Sequence, residues 1–301
     1  MVSGGWGGAP SHSTPGQASV ALKVLFATMV DLGGTSGMNV ATSHIIAALA
    51  RDPRVRLTLL CPKPGSSQII PGLAPVLRRA RFVSGTGSGG VIWHIACQLR
   101  MYRLLRYLLA DNGESVVVAR LGPTLVAPPL VVRKSGLPYV LLVRGMVGRH
   151  LGLRGAIPGT KLFVGHVGRV NVAVASRVYA AYGAAKKWAD QYRSDNQAET
   201  KVLHNAVDPD MFELRPAEEA RRNLPLDLRP KDFVIGFVGS MKRRHGLESL
   251  VSAFSQFRNR RENGSRLLLV GDGPLRKDLE KLVTRLGLRS EVSFAGSVPH
   301  T

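Results

Sequence analysis

The sequence predicts an α/β protein built on parallel sheets, and three observations lead there. Apolar runs of strand length recur along the 301 residues, separated by glycine-bearing loops and by stretches of helical periodicity. The pattern is cleanest near the C-terminal end. There Phe233–Val238, Arg266–Val270 and Glu291–Gly296 read as strands, and Leu247, Leu250, Val251 and Phe254 recur at helical spacing between the first two. Strand–helix–strand–helix–strand order calls for parallel pairing with right-handed crossovers. The first run of the chain, Ala21–Ala27, is apolar almost throughout, as a central strand covered on both faces would be.

Taken in order, residues 1–19 are rich in Gly, Ser and Pro, without the basic start or apolar centre of a leader peptide, so a disordered tail is expected. The strand Ala21–Ala27 runs into Asp31-Leu32-Gly33-Gly34-Thr35-Ser36-Gly37 and then a helix carrying Val40, Ile45, Ile46 and Leu49. A glycine loop feeding a helix lets backbone N–H groups approach a phosphate, and it serves equally as a tight turn. Its spacing is not Gly-x-Gly-x-x-Gly, and the strand Arg56–Leu60 ends in Cys61-Pro62-Lys63 without a ribose-binding acid, which argues against a dinucleotide. No Walker lysine follows this loop or the one at 85–90.

Val91–Ala110 reads as a helix with Ile92, Ile95, Leu99, Leu105, Leu108 and Leu109 inward. Arg100, Arg103 and Arg106 then line the opposite flank, near Trp93, Tyr102 and Tyr107. Such a flank suits an anionic membrane surface or simply water. Glu114–Ala119 is the next strand, ended by Arg120-Leu121-Gly122-Pro123, and Pro138–Val143 runs into Arg144-Gly145. Ser176–Ala180 and a helix over Ala184–Tyr192 finish a first domain, residues 20–210. Residues 211–231 are charged and proline-bearing, as a linker is, and lead to a second domain at 232–301. Pro274 suits the first position of a helix continued by Leu275, Leu279, Leu282, Val283 and Leu286.

Charge is unevenly divided. Residues 1–189 hold 22 Lys and Arg against four acids, whereas 190–301 hold 19 against 16, within a total of +21. A load so confined to one half points to an anionic partner. The two cysteines, Cys61 and Cys97, give neither a disulfide framework nor a metal site, and fit a reducing, cytoplasmic setting. No run is long and apolar enough for a transmembrane helix.

Three loops in register carry a family resemblance. Phe237-Val238-Gly239-Ser240 with the basic turn Lys242-Arg243-Arg244-His245-Gly246 and then Leu250, Ala253 and Phe254 resembles the opening of the donor-binding domain in family 4 glycosyltransferases of the GT-B fold. Val270-Gly271-Asp272-Gly273-Pro274-Leu275 and Val292-Ser293-Phe294-Ala295-Gly296 follow in the family's order. Lys201–Phe212 resembles the segment before the interdomain link, with His204 and Ala206 in place of its usual Pro and Gly.

The resemblance implies a retaining transferase of two Rossmann-like domains. It would move a sugar from a nucleoside diphosphate to an acceptor hydroxyl, with cell-surface glycan or glycolipid synthesis as the expected setting. Cations and backbone donors at the leaving diphosphate would stabilise the transition state. On this chain Lys242 is then the main phosphate cation, with Arg243 or Arg244 as the second. Gly239, Ser240 (at the usual arginine position), Arg243, His245 (where lysine usually precedes the glycine), Asp272 and Gly273 would face the donor, with Gly33 and Gly34 against its phosphates. Arg144 replaces a common histidine. Being charged at neutral pH it cannot act as a base, but it can orient a donor phosphate or an anionic or lipid-linked acceptor. Arg120 and His150 are placed on the acceptor side. The sequence offers no acid pair or His/Cys cluster, so no metal or other cofactor is expected.

The chain stops at Pro299-His300-Thr301, before the family's two glutamates spaced eight apart, so the second domain is expected to be incomplete. Two competing functions follow. One is an inactive, truncated remnant that binds or associates with membranes, and the other a basic nucleic-acid-binding protein, for which the sequence carries no recognition motif.

Overall fold

The computed structural model describes residues 21–33, 37–65, 69–84, 90–110, 114–145, 159–206, 214–222, 224, 232–258 and 264–298. The first part of the chain forms β1 (Leu22–Ala27), α1 (Gly37–Arg51), β2 (Val55–Cys61), α2 (Ala74–Arg78), β3 (Arg81–Phe82), α3 (Val91–Leu108), β4 (Ser115–Arg120), α4 (Ala127–Ser135), β5 (Tyr139–Val143), α5 (Thr160–Val174), β6 (Arg177–Ala180), α6 (Gly183–Asp190) and β7 (Lys201–Val202). The seven strands make one sheet in the order β3-β2-β1-β4-β5-β6-β7, parallel throughout. The order reverses between β1 and β4, the topological switch point at which doubly wound sheets open a crevice beyond the carboxyl ends of their strands.

Alternation along the strands divides the core in two. Leu25, Ala27, Val117, Ala119, Leu141 and Val143 pack on one face with Cys97, Met101 and Leu105 of α3. Val24, Phe26, Leu59, Val118 and Leu142 pack on the other with Ile46 and Ala47 of α1. A buried polar link ties α5 to this sheet. Tyr139 donates its hydroxyl to Asn171 Oδ1 at 2.6 Å, and Asn171 Nδ2 donates to the carbonyls of Leu125 and Val167.

After α7 (Ala217–Arg222), a helix inside the stretch expected to be a plain linker, come β8 (Phe233–Val238), α8 (Leu247–Phe257), β9 (Ser265–Val270), α9 (Arg276–Arg285) and β10 (Val292–Gly296). These three strands form a second parallel sheet, β10-β9-β8. Leu247, Val251 and Phe254 from α8 and Leu279 and Val283 from α9 share one core with Leu267 and Leu269. Pro274 falls before α9 rather than at its first position, because Leu275 occupies the cap.

One expectation is overturned outright. Ile92, Ile95 and Leu99 of α3 do not face inward; they are 84 %, 54 % and 55 % exposed. The buried stripe is Cys97, Met101 and Leu105, spaced by four, and Leu108 and Leu109 are half-buried. The outward stripe runs from Ile92, Ile95 and Leu99 to Arg103 and Arg106, so its apolar and basic residues share one side instead of opposing each other.

Candidate functional site

The expected site residues that the structure describes fall at the carboxyl ends of strands, in two groups. In the second sheet, β8 leads to Gly239-Ser240-Met241-Lys242 and then a 3-10 turn at Arg243–His245. Glycines fix this loop against the one after β9. A Cβ on Gly271, whose φ is +123°, would lie 2.0 Å from the Gly239 carbonyl oxygen, and a Cβ on Gly273 would lie 2.6 Å from that of Met241. Backbone bonds close the contact, with Gly239 N donating to Val270 O, Met241 N to Asp272 O and Leu275 N to Met241 O.

On that fixed turn the charged side chains divide by what they touch. His245 Nδ1 donates to the Ser240 carbonyl, and its Nε2 accepts from Arg244 Nε, so both ring nitrogens are used locally. Asp272 accepts from the Gly273 amide through Oδ1, and Oδ2 faces Arg276 Nη1 at 3.5 Å. It therefore braces its own loop. Lys242 and Arg243 are exposed, and among the described residues neither has a carboxylate partner. Together with Arg244, which is also exposed and donates to His245, they are the cations presented by this turn.

The second group lies at the first sheet. The loop after β1 is braced by Asp31, whose Oδ1 accepts from the amides of Gly33 and Gly65, so at least one role of the Gly33 amide is within the loop. Gly34 and His150 lie outside the described residues. Arg120 is the last residue of β4 rather than a residue beyond it, in register with Leu142 of β5, and Arg144 stands two residues past Leu142. Arg120 is 5 % exposed and its Nε has no hydrogen-bond partner. Burial, and then the charge of Arg144, bring its pKa down to about 10. Arg144 is half-buried and held by a 2.7 Å bond from Nη1 to the Leu203 carbonyl, while its own Nε is also unpartnered; burial lowers its pKa too. Two guanidinium groups thus stand at the ends of neighbouring strands, near enough for one charge to oppose the other, and among the described residues neither has a carboxylate partner. An arginine after a strand is visible in sequence; that no acid comes to meet it is not.

Among the described residues no group of three His, Cys, Asp or Glu side chains is placed to hold a metal ion, and no helix is long and apolar enough to cross a membrane.

Comparison with known proteins bears on both sheets. Residues 219–301 match the family model described as glycosyl transferases group 1. The chain is 37 % identical over 103 residues to 2-deoxystreptamine glucosyltransferase of Streptomyces kanamyceticus, covering 33 % of this chain and 26 % of that one. It is 34 % identical over 103 residues to the GDP-mannose-dependent alpha-(1-6)-phosphatidylinositol monomannoside mannosyltransferase of Mycobacterium tuberculosis, covering 34 % and 26 %. These matches span about a quarter of the length of either relative. Among solved structures, Anabaena HepE in complex with UDP and glucose superposes with a TM-score of 0.61 at 19 % identity, over 92 % of this chain and 70 % of that one. The fold is therefore that of the GT-B glycosyltransferases, and residues 219–301 carry the match to a glycosyl transferase group 1 domain.

Proposed function

We propose that this protein transfers a sugar from a nucleoside-diphosphate sugar to an acceptor hydroxyl, with retention at the anomeric carbon as in family 4. The observation that carries the proposal is the turn after β8. It lies within the segment that matches the transferase family, and it presents Lys242 and Arg243, without carboxylate partners among the described residues, on a backbone locked by Gly271 and Gly273. In the reaction the bond between the sugar's anomeric carbon and the diphosphate oxygen breaks and a bond to the acceptor oxygen forms. The acceptor's proton leaves with the diphosphate. Negative charge grows on the leaving group, and a preorganised cation there lowers the barrier because it need not reorganise as the charge develops. UDP in the HepE complex and GDP-mannose in the name of the mycobacterial relative support a nucleotide-sugar donor. No metal or other cofactor is assigned to the step.

The acceptor is proposed to be membrane-borne, which would place the protein on a membrane surface. The outward stripe of α3 supports this: exposed Ile92, Ile95 and Leu99 would enter the headgroup boundary while Arg103 and Arg106 meet anionic lipid. The domain division at about residues 211–231 is likewise proposed, each sheet forming one domain.

The test is to incubate the full chain with a panel of nucleotide sugars and lipid extracts, and to follow release of the nucleoside diphosphate. Release that depends on both donor and lipid is expected. Tight nucleotide binding with no turnover under any combination would identify a binding protein instead, and tight, salt-sensitive binding of RNA with no affinity for nucleotide sugars would overturn the proposal altogether.

A further inference from the structure

We propose that Arg120 and Arg144 form a preformed socket for one oxyanion of the phosphate class, carried by the acceptor. Assignment to the acceptor rests on the transferase function proposed above; the socket itself rests on the two side chains.

Other arginines with low exposure show what a structural role looks like in this molecule. Arg193 donates through Nε to Ala198 O and through its Nη groups to the carbonyls of Val172, Ala175 and Ser176, so that its guanidinium staples a chain reversal. Arg258 pairs with Glu291 at 2.8 Å, and Arg266 with Asp232 at 3.2 Å. Arg120 is 5 % exposed and has neither kind of arrangement among the described residues. The charge near enough to act on it is of its own sign, on Arg144.

A guanidinium cannot shed its proton at neutral pH, so Arg120 stays charged where water reaches it poorly. An uncompensated buried charge is destabilising, and a second cation beside it adds repulsion. Both costs vanish if an anion sits between the two groups and accepts from both. Two positive charges and forked donors match a dianionic phosphate group better than the single charge of a carboxylate. The place fits as well. β4 borders the switch point, and both arginines stand at carboxyl ends of strands, where open α/β sheets take ligands. Leu203 O holds Arg144 at one donor, which fixes its direction and leaves its Nε unused. The cations suited to the donor's own phosphates, Lys242 and Arg243, are on the other sheet, so this socket is left for a different anionic group.

Full-length protein is titrated with inorganic phosphate at constant ionic strength, with chloride as control, and thermal stability and calorimetric binding are recorded. Phosphate is expected to raise the melting temperature of the wild type. In Arg120→Met the phosphate affinity falls about tenfold or more, and the ligand-free melting temperature stays level or rises. Arg120→Lys keeps part of the shift. UDP and GDP affinities are unchanged in Arg120→Met. A phosphate shift that survives Arg120→Met overturns the socket. So does a steep loss of ligand-free stability in both Arg120 variants, which would show the guanidinium to be structural. Nucleoside diphosphate affinity falling in Arg120→Met as far as in Lys242→Ala would assign the anion to the donor and overturn the acceptor assignment. A phosphate shift that depends on Arg120 in a protein that binds no nucleoside diphosphate would support the socket while removing the transferase function.

Discussion

The two sheets bring positive charge to the ends of their strands in opposite ways. At the first sheet Arg120 is buried in the wall and its cost is carried in advance, so a matching anion is rewarded and a poor one is not. At the second sheet Lys242 and Arg243 stand in water on a turn whose backbone, not its side chains, is rigid. Exposed cations cost little to maintain, and bulk salt screens them. On the function proposed above, the difference would suit separate tasks: Arg120 and Arg144 would select a ligand, and Lys242 and Arg243 would answer charge that develops during the reaction.

The rigidity of the second turn can be broken at one atom. Gly271→Ala places a Cβ 2.0 Å from Gly239 O at a φ of +123°. We expect it to destabilise the second sheet by more than about 3 kcal/mol, seen as an early, separate unfolding transition in urea. A variant as stable as the wild type would mean that the two loops are not locked together.

Removing the exposed charge should leave the fold alone. Lys242→Ala is expected to lower transfer by roughly 10²–10³ while changing stability by less than about 0.5 kcal/mol, since it takes away a solvated side chain. The split between rate and stability is the point of comparison with Arg120. There the ligand-free effect has the opposite sign. Because the Arg120 pKa is held below its unfolded value, the penalty of its charge is present at neutral pH and fades only as pH climbs through about 10. Any stability advantage of Arg120→Met should shrink over the same range, which denaturation at a series of alkaline pH values would show.

The buried link between α5 and the first sheet depends on Asn171. Asn171→Ala strands the Tyr139 hydroxyl and the Leu125 carbonyl in the core, and is expected to cost about 2–3 kcal/mol in denaturant midpoint experiments. The smallest effect concerns α3. Exchanging exposed Ile95 and Leu99 together for Ser should leave the melting temperature within a degree or two, because neither side chain is buried. The same change should weaken sedimentation with anionic vesicles by roughly tenfold. Equal binding to neutral and anionic vesicles would remove the proposed membrane face.

Much of this arrangement was legible in the sequence because strands covered on both faces betray themselves as apolar runs and the helices between them keep their period. β8, β9 and β10 fall within a residue of the expected limits, and α8 begins at Leu247, where its apolar spacing begins. What failed was direction. α3 carries two apolar stripes, Ile92–Ile95–Leu99 and Cys97–Met101–Leu105, and periodicity alone cannot say which one the sheet will cover. The short strands β3 and β7 have only two residues each, too few to alternate visibly. At the site, Lys242, Arg120 and Arg144 were identifiable as cations after strands. His245 and Asp272 look like ligand-facing groups in sequence, yet their polar atoms are engaged in holding their own loops.

The claim at the centre of this account is that the turn after β8 receives the diphosphate of a nucleotide sugar. It is tested most directly by calorimetric titration of the full chain with UDP and GDP, wild type beside Lys242→Ala. Saturable binding by the wild type, weakened about tenfold or more in the variant and insensitive to Arg120→Met, is the expected result. Binding of equal strength in wild type and Lys242→Ala, or none at all in the wild type, would contradict it.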